Sequence, residues 1–211
     1  MSSDVKKRSG RPVDPAKREA IIAAATRAFF DRGFAAASIE RVAADAGVSK
    51  VTVYNHFGDK HRLFVASVET QCEIMRGHSS IGEMPRGTLR ERLLAIGEAM
   101  VAFLSRDEMV QFERRIAAET EHEPEIGKAF LAAGPHRMKK AFSALISALD
   151  EAGELRVDDP ELAAEQFAAM CKGMGDLDRR FGQPIDEKRN RERIEGAVEV
   201  FCRAYATGGA C

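Results

Sequence analysis

From Ile21 to Tyr205 the apolar residues recur at intervals of three and four, and no run alternates as a half-buried strand would. That spacing restricts the chain to an all-α fold of about nine to ten helices. Asp14-Pro15 and Asp159-Pro160 each pair a capping carboxylate with a proline suited to the first helical position, so both read as helix starts. Gly33, Gly134-Pro135 and Gly153 read as stops. The spacing predicts helices over 15–32, 59–75, 88–105, 107–121, 124–132, 135–152, 159–177 and 186–206. Residues 77–87, with Gly82 and Pro85, break the pattern and read as a loop.

Between the first and second of these spans lie two short helical segments. Ser38 can cap the first segment, Glu40 suits its positive N-terminal end, and Val42, Ala43 and Ala46 give it an apolar face of little bulk. Gly47 can take the positive φ needed to stop it, Val48 turns back into the core, and Ser49 can cap the second segment. That second segment, about 50–57, is too short to stand alone, so Val53 and Phe57 must pin it to a scaffold. Its free face then carries Lys50, Thr52, Tyr54, Asn55 and His56, with Lys60 just beyond: side chains of the kind that bond phosphates and base edges.

Ile21 to Phe64, with Ala24-Ala25, Phe29, Gly33-Phe34, Ala43, Ala46-Gly-Val-Ser49, Thr52-Val-Tyr54, His56-Phe57, Lys60 and Leu63, resembles the N-terminal domain of TetR-type transcriptional regulators. The resemblance implies a helix-turn-helix in which Thr52, Tyr54, His56 and Lys60 contact phosphates, while Lys50 and Val51 face base edges. Beside these, Ser38, Ser49 and Asn55 complete the expected DNA-contacting set. Val51 departs from the family, whose members usually carry Gly, Ala or Pro there. The stretch 112–181, with Ala118-Glu119, Pro124-Glu125, Ala129-Phe130, Gly134-Pro135, Gly153-Glu-Leu155 and Asp159-Pro-Glu-Leu-Ala-Ala164, is similar to the C-terminal domain of the AefR-like branch.

The net charge of −1 hides a division. Residues 1–62 hold twelve Lys and Arg against seven Asp and Glu, and the remainder twenty against twenty-six, so only the front of the chain suits a polyanion. Residues 1–13 read as a disordered basic arm, in which Arg8 and Arg11 flank Ser-Gly as in minor-groove hooks. The expected organisation is this arm, a DNA-binding domain over 14–62, and an effector-binding and dimerisation domain over 63–211. The helix from residue 59 is expected to be the only regular element joining the last two. No apolar run reaches the length of a membrane span and no signal peptide is apparent, so a cytoplasmic protein is expected. Cys72, Cys171, Cys202 and Cys211 include no closely spaced pair, which points to free thiols and away from a zinc site.

These readings converge on a homodimeric repressor that binds a palindromic double-stranded operator, since one short reading helix contacts few base pairs. The last two helices, with Met170, Gly173, Gly175 and Phe201, are the expected dimer surface. Met100, Phe103, Phe112, Met138, Phe142, Phe167, Met170 and Met174 are the expected lining of a site for a small apolar or amphipathic effector. No cofactor or metal is expected. An enzyme is the competing class, but there is no nucleophile motif or phosphate loop, and the five histidines are scattered; His56, Asp59 and His61 are the nearest approach to a metal set. A helical adaptor with vestigial DNA binding is the third.

Overall fold

The computed structural model describes residues 14–79 and 87–208, with side chains for 14–74 and 87–208. Arg8, Arg11 and the rest of the basic arm, Gly82, Pro85 and Cys211 lie outside the described residues. Among those described, ten helices run in order: α1 Pro15–Ala36, α2 Ile39–Asp45, α3 Lys50–Phe57, α4 Lys60–Ser79, α5 Leu89–Leu104, α6 Asp107–Thr120, α7 Pro124–Ala133, α8 Pro135–Glu151, α9 Pro160–Arg180 and α10 Glu187–Tyr205. The chain is all-α. An isolated antiparallel bridge between Leu155 and Ala206 ties the segment after α8 to the end of α10.

The helix starts arise from local chemistry. The side chains of Asp14, Ser38, Ser49 and Asp159 each accept from a backbone N–H in the first turn, as do Asp186 and Thr88. Each such cap contributes about 1 kcal/mol. Three ends lie three or four residues beyond expectation, that of α9 at Arg180 among them. Past Gly33 (φ 83°, ψ 176°) the chain changes direction and resumes helical turns to Ala36, a backbone conformation open to glycine almost alone. α4 continues to Ser79, because a lone glycine at position 77 weakens a helix without stopping it.

Buried side chains gather into two cores that do not follow the chain. The first joins α1–α4 with Met109, Phe112 and Ile116 of α6 and Ile126 and Ala133 of α7. The second is built by α5, α8, α9 and α10, around Leu93, Ile146, Phe167, Val198 and Phe201. α4 is therefore not the sole link to the N-terminal helices. Phe112 of α6 stacks on Phe30 of α1 with ring centroids 4.1 Å apart, and Arg115 donates to the Phe30 carbonyl. Glu119 accepts from the backbone N–H groups of Phe34 and Ala35 at 3.0 and 3.1 Å. The break at Gly33 frees those N–H groups, and a partly covered donor needs an acceptor.

Three further expectations are corrected. Phe201 is wholly buried within its own chain, edge-on to Phe167 at 5.3 Å, so it is core and not outward surface. Gly173 breaks α9 at φ 47°, and the space above it and Gly175 is filled by Arg193, with Asn190, of the same chain. Those glycines admit the chain's own α10. Cys72 and Cys171 are free and buried, but Cys202 is disulfide-bonded, because a disulfide needs proximity in space and not in sequence. Among the described residues no helix is long and apolar enough to cross a membrane.

Candidate nucleic-acid interface

α2 and α3 are joined by a tight turn. Val48 N–H donates to Ala43 O at 2.9 Å and Gly47 N–H to Ala44 O at 3.1 Å, with Gly47 at φ 66°. Ser49 Oγ then accepts from Thr52 N at 3.1 Å and shares a 2.9 Å hydrogen bond with Thr52 Oγ1, so one serine both starts α3 and fixes the Thr52 rotamer. Val53 and Phe57 anchor α3 in the first core, with Arg18 of α1 over the Phe57 ring at 5.5 Å. Gly58, at φ 82°, ends α3 by donating to Tyr54 O.

With that face fixed, the opposite one is presented outward. Lys50, Val51, Tyr54 and Asn55 are exposed, Val51 to 67 %, while Thr52 and His56 are half-buried. Such an apolar side chain held out in water at the start of a short helix gains nothing from the chain's own packing. His56 Nδ1 is covered and meets no partner among the described residues. Ser38, exposed at the start of α2, donates its hydroxyl to Glu40 Oε2 at 2.9 Å. It also borders a cleft between α1 and α2 lined by Arg27, Arg32 and Arg41 with Asp31 and Asp45, which sequence spacing did not bring together.

The cations here are not equivalent. Lys50 Nζ is paired with Glu40 across the two helices and lies 5.8 Å from the Tyr54 ring. The hydrogen bond from Lys50, with Ser38 and the local backbone, holds the Glu40 carboxyl down at about 2, and the same pairing raises Lys50. Lys60 donates to Ala35 O at 3.1 Å and sits 4.7 Å over the Phe34 ring; its partial burial lowers its pKa. It is thus seated on the end of α1, beside the Glu119 contact. His61 Nε2 meets Glu123 at 3.1 Å, which accounts for it without a metal, and among the described residues no group of His, Cys, Asp and Glu could hold one.

The surface so assembled is a helix-turn-helix with its second helix braced from behind and polar in front. Residues 21–66 match the family model described as bacterial regulatory proteins of the tetR family, and residues 91–207 match that of the AefR-like transcriptional repressor C-terminal domain. The chain belongs to the TetR family. It is 26 % identical over 199 residues to the HTH-type transcriptional regulator BetI of Rhizobium meliloti, covering 93 % of this chain and 94 % of that one. The HTH-type transcriptional activator FasR of Mycolicibacterium smegmatis is 34 % identical over 93 residues, 43 % of this chain and 42 % of the relative. Among solved structures, a TetR-family regulator from Mesorhizobium loti superposes with a TM-score of 0.76 at 27 % identity, covering 96 % of this chain and all of that one. The flavonoid-responsive regulator FrrA gives 0.74 at 27 %, covering 92 % and 99 %. This TetR-family protein is accordingly a DNA-binding transcriptional regulator and not an enzyme.

The expected effector lining is divided by the fold. Phe112 lies in the first core, with Phe103 and Met138 packed against it; Phe142 and Phe167 lie in the second, flanked by Met100 and Met170. Met174 is 64 % exposed and belongs to neither core. Helical spacing placed these residues on apolar stripes, but a stripe does not say which neighbour covers it.

Proposed function

We propose that this regulator is a homodimeric repressor that binds a palindromic operator and is released by a small apolar or amphipathic effector. The observation that carries the reading is the eight-residue α3, whose exposed end offers Lys50, Val51, Thr52, Tyr54 and Asn55 to a groove. One such helix reads too few base pairs for specific binding, and a two-fold axis doubles the site. Ser38, Ser49, Thr52, Tyr54, His56 and Lys60 take the phosphate side, Lys60 through the N–H groups it does not give to Ala35. Arg8 and Arg11 add minor-groove contacts from the arm.

The dimer face is an outward apolar row of Met174 and Leu177 on α9 and Phe181 at its C-terminal cap, exposed to 64, 48 and 76 %, with Val200 of α10 exposed to 54 %. This row takes the place of the buried Phe201 and keeps the interface on the same two helices. The effector site draws on the half-buried, adaptable Met100, Phe103, Met138 and Met170 at the margins of the cores. FrrA is a regulator described as responsive to a flavonoid, an example of that ligand class in a relative of the same fold.

The test is duplex binding as a function of salt. Lys60→Ala should weaken binding to every duplex alike and lower the salt slope by about one, since a lost phosphate contact releases one counterion fewer. A changed sequence preference with an intact slope would remove Lys60 from the phosphate set. For the dimer, Phe181→Asp should sediment as a folded monomer, whereas Phe201→Asp should lose the fold by burying an unpaired charge.

A further inference from the structure

A carboxylate on a surface that faces DNA is repelled by the phosphates unless it takes a hydrogen-bond donor, and the base edges of the major groove offer such donors only at cytosine N4 and adenine N6. Glu40 is such a carboxylate. It is 64 % exposed at its side chain, projects from the first turn of α2, and reaches across to the ammonium of Lys50 at the first position of α3. The N-terminal residues of a recognition helix are those that meet base edges, so whatever touches the Lys50 ammonium lies within a side chain's reach of a base pair. Glu40 is also held: Oε2 accepts from Ser38 Oγ at 2.9 Å while Oε1 takes Lys50, and each oxygen keeps a second lone pair. Lys50 has two further N–H donors beyond the one given to Glu40.

We infer that Glu40 and Lys50 act as one reading unit for a G·C pair in each half-site, Lys50 donating to guanine O6 and N7 and Glu40 accepting from cytosine N4. Guanine O6 and cytosine N4 are hydrogen-bonded to each other, so they stand about 3 Å apart. A touching ammonium and carboxylate present a donor and an acceptor at that spacing with the opposite polarity. An A·T pair is the poorer fit, because thymine offers the ammonium one acceptor beside a methyl group where guanine offers two. The pairing also keeps Lys50 from the phosphates, which is what makes it a reader. A lysine without Glu40 would bind any duplex through the backbone.

This inference rests on the operator-binding reading above, and the experiment separates the two. Half-sites are selected from a random duplex library with the unmodified chain, Glu40→Ala and Glu40→Gln, and the salt slope on random duplex is measured for each. The unmodified chain should favour G·C about tenfold at one position per half-site. Glu40→Ala should lose that preference, keep the others, and steepen the salt slope by about one as Lys50 turns to phosphate. Glu40→Gln, of equal size, should steepen the slope likewise and keep a weakened cytosine preference through its carbonyl oxygen; unchanged thermal midpoints exclude a folding effect. Unchanged preferences at every position in Glu40→Ala, or an A·T preference at the affected position, would overturn the reading unit alone. Absence of duplex binding by the unmodified chain would overturn the operator reading and this one with it.

Discussion

Gly33 does two jobs that no other residue type can combine. Its φ of 83° turns the chain out of α1, and the space where a side chain would sit is taken by the Glu119 carboxylate. Gly33→Ala should therefore cost about 2 to 3 kcal/mol in urea unfolding, the strain of a disfavoured backbone region joined to loss of the two N–H contacts to Glu119. The ionisable groups behave just as locally. Glu40 has a folded pKa of about 2 against an ordinary value of 4.5, so its pairing with Lys50 is fully present above the unfolded value and is lost as pH falls through the folded one. A carbon-detected titration should place its midpoint near 2, and base preference should be constant between pH 8 and pH 5. Burial pushes the thiols of Cys72 and Cys171 up to about 11 and about 12, so both stay protonated at neutral pH. Iodoacetamide at pH 8 should leave them unmodified in the folded protein and label both in urea, as read by mass spectrometry.

At the scale of the helix, α6 is the element whose importance is least visible in the chain. Phe112 sits on an amphipathic stripe with Val110, Ile116 and Met109, and the stripe alone admits any neighbour. In the fold it meets Phe30, Phe64 and Phe130 with centroids 4.1, 6.1 and 5.7 Å away. Phe112→Ala should destabilise the protein by about 3 to 5 kcal/mol, measured by chemical unfolding. Features that depend on neighbours along the chain were legible in the sequence: the caps at Asp14, Ser38, Ser49 and Asp159, the turn at Gly47, and the front and back of α3. Glu119 with Phe34, Glu40 with Lys50, and Arg193 over Gly173 are separated by many residues or by a change of helix, and no local rule joins them. Phe201 was misplaced for the same reason. Its stripe is real, but only the packed partner Phe167 tells inside from outside.

At the scale of the molecule, the helices that present α3 complete their core with residues from α6 and α7. A fragment ending at residue 79 would expose the faces that Phe112, Ile116 and Ile126 cover. It should lack the sharp thermal transition of the full chain when monitored by circular dichroism, and bind duplex weakly even at low salt. Small domains have little stability to spare, and uncovering several large apolar side chains exceeds it. The same arrangement bears on how such regulators can diversify. Grafting a foreign reading head onto this chain at residue 62 would keep the sequence continuous and still separate Phe30 from the Phe112 it stacks on. A working hybrid would have to carry the inward faces of α6 and α7 along with the first four helices, a mosaic that no single crossover can produce. Under the proposed reading, changes of base preference fall to single substitutions on the exposed front of α2 and α3, at Glu40, Lys50 and Val51, none of which belongs to either core.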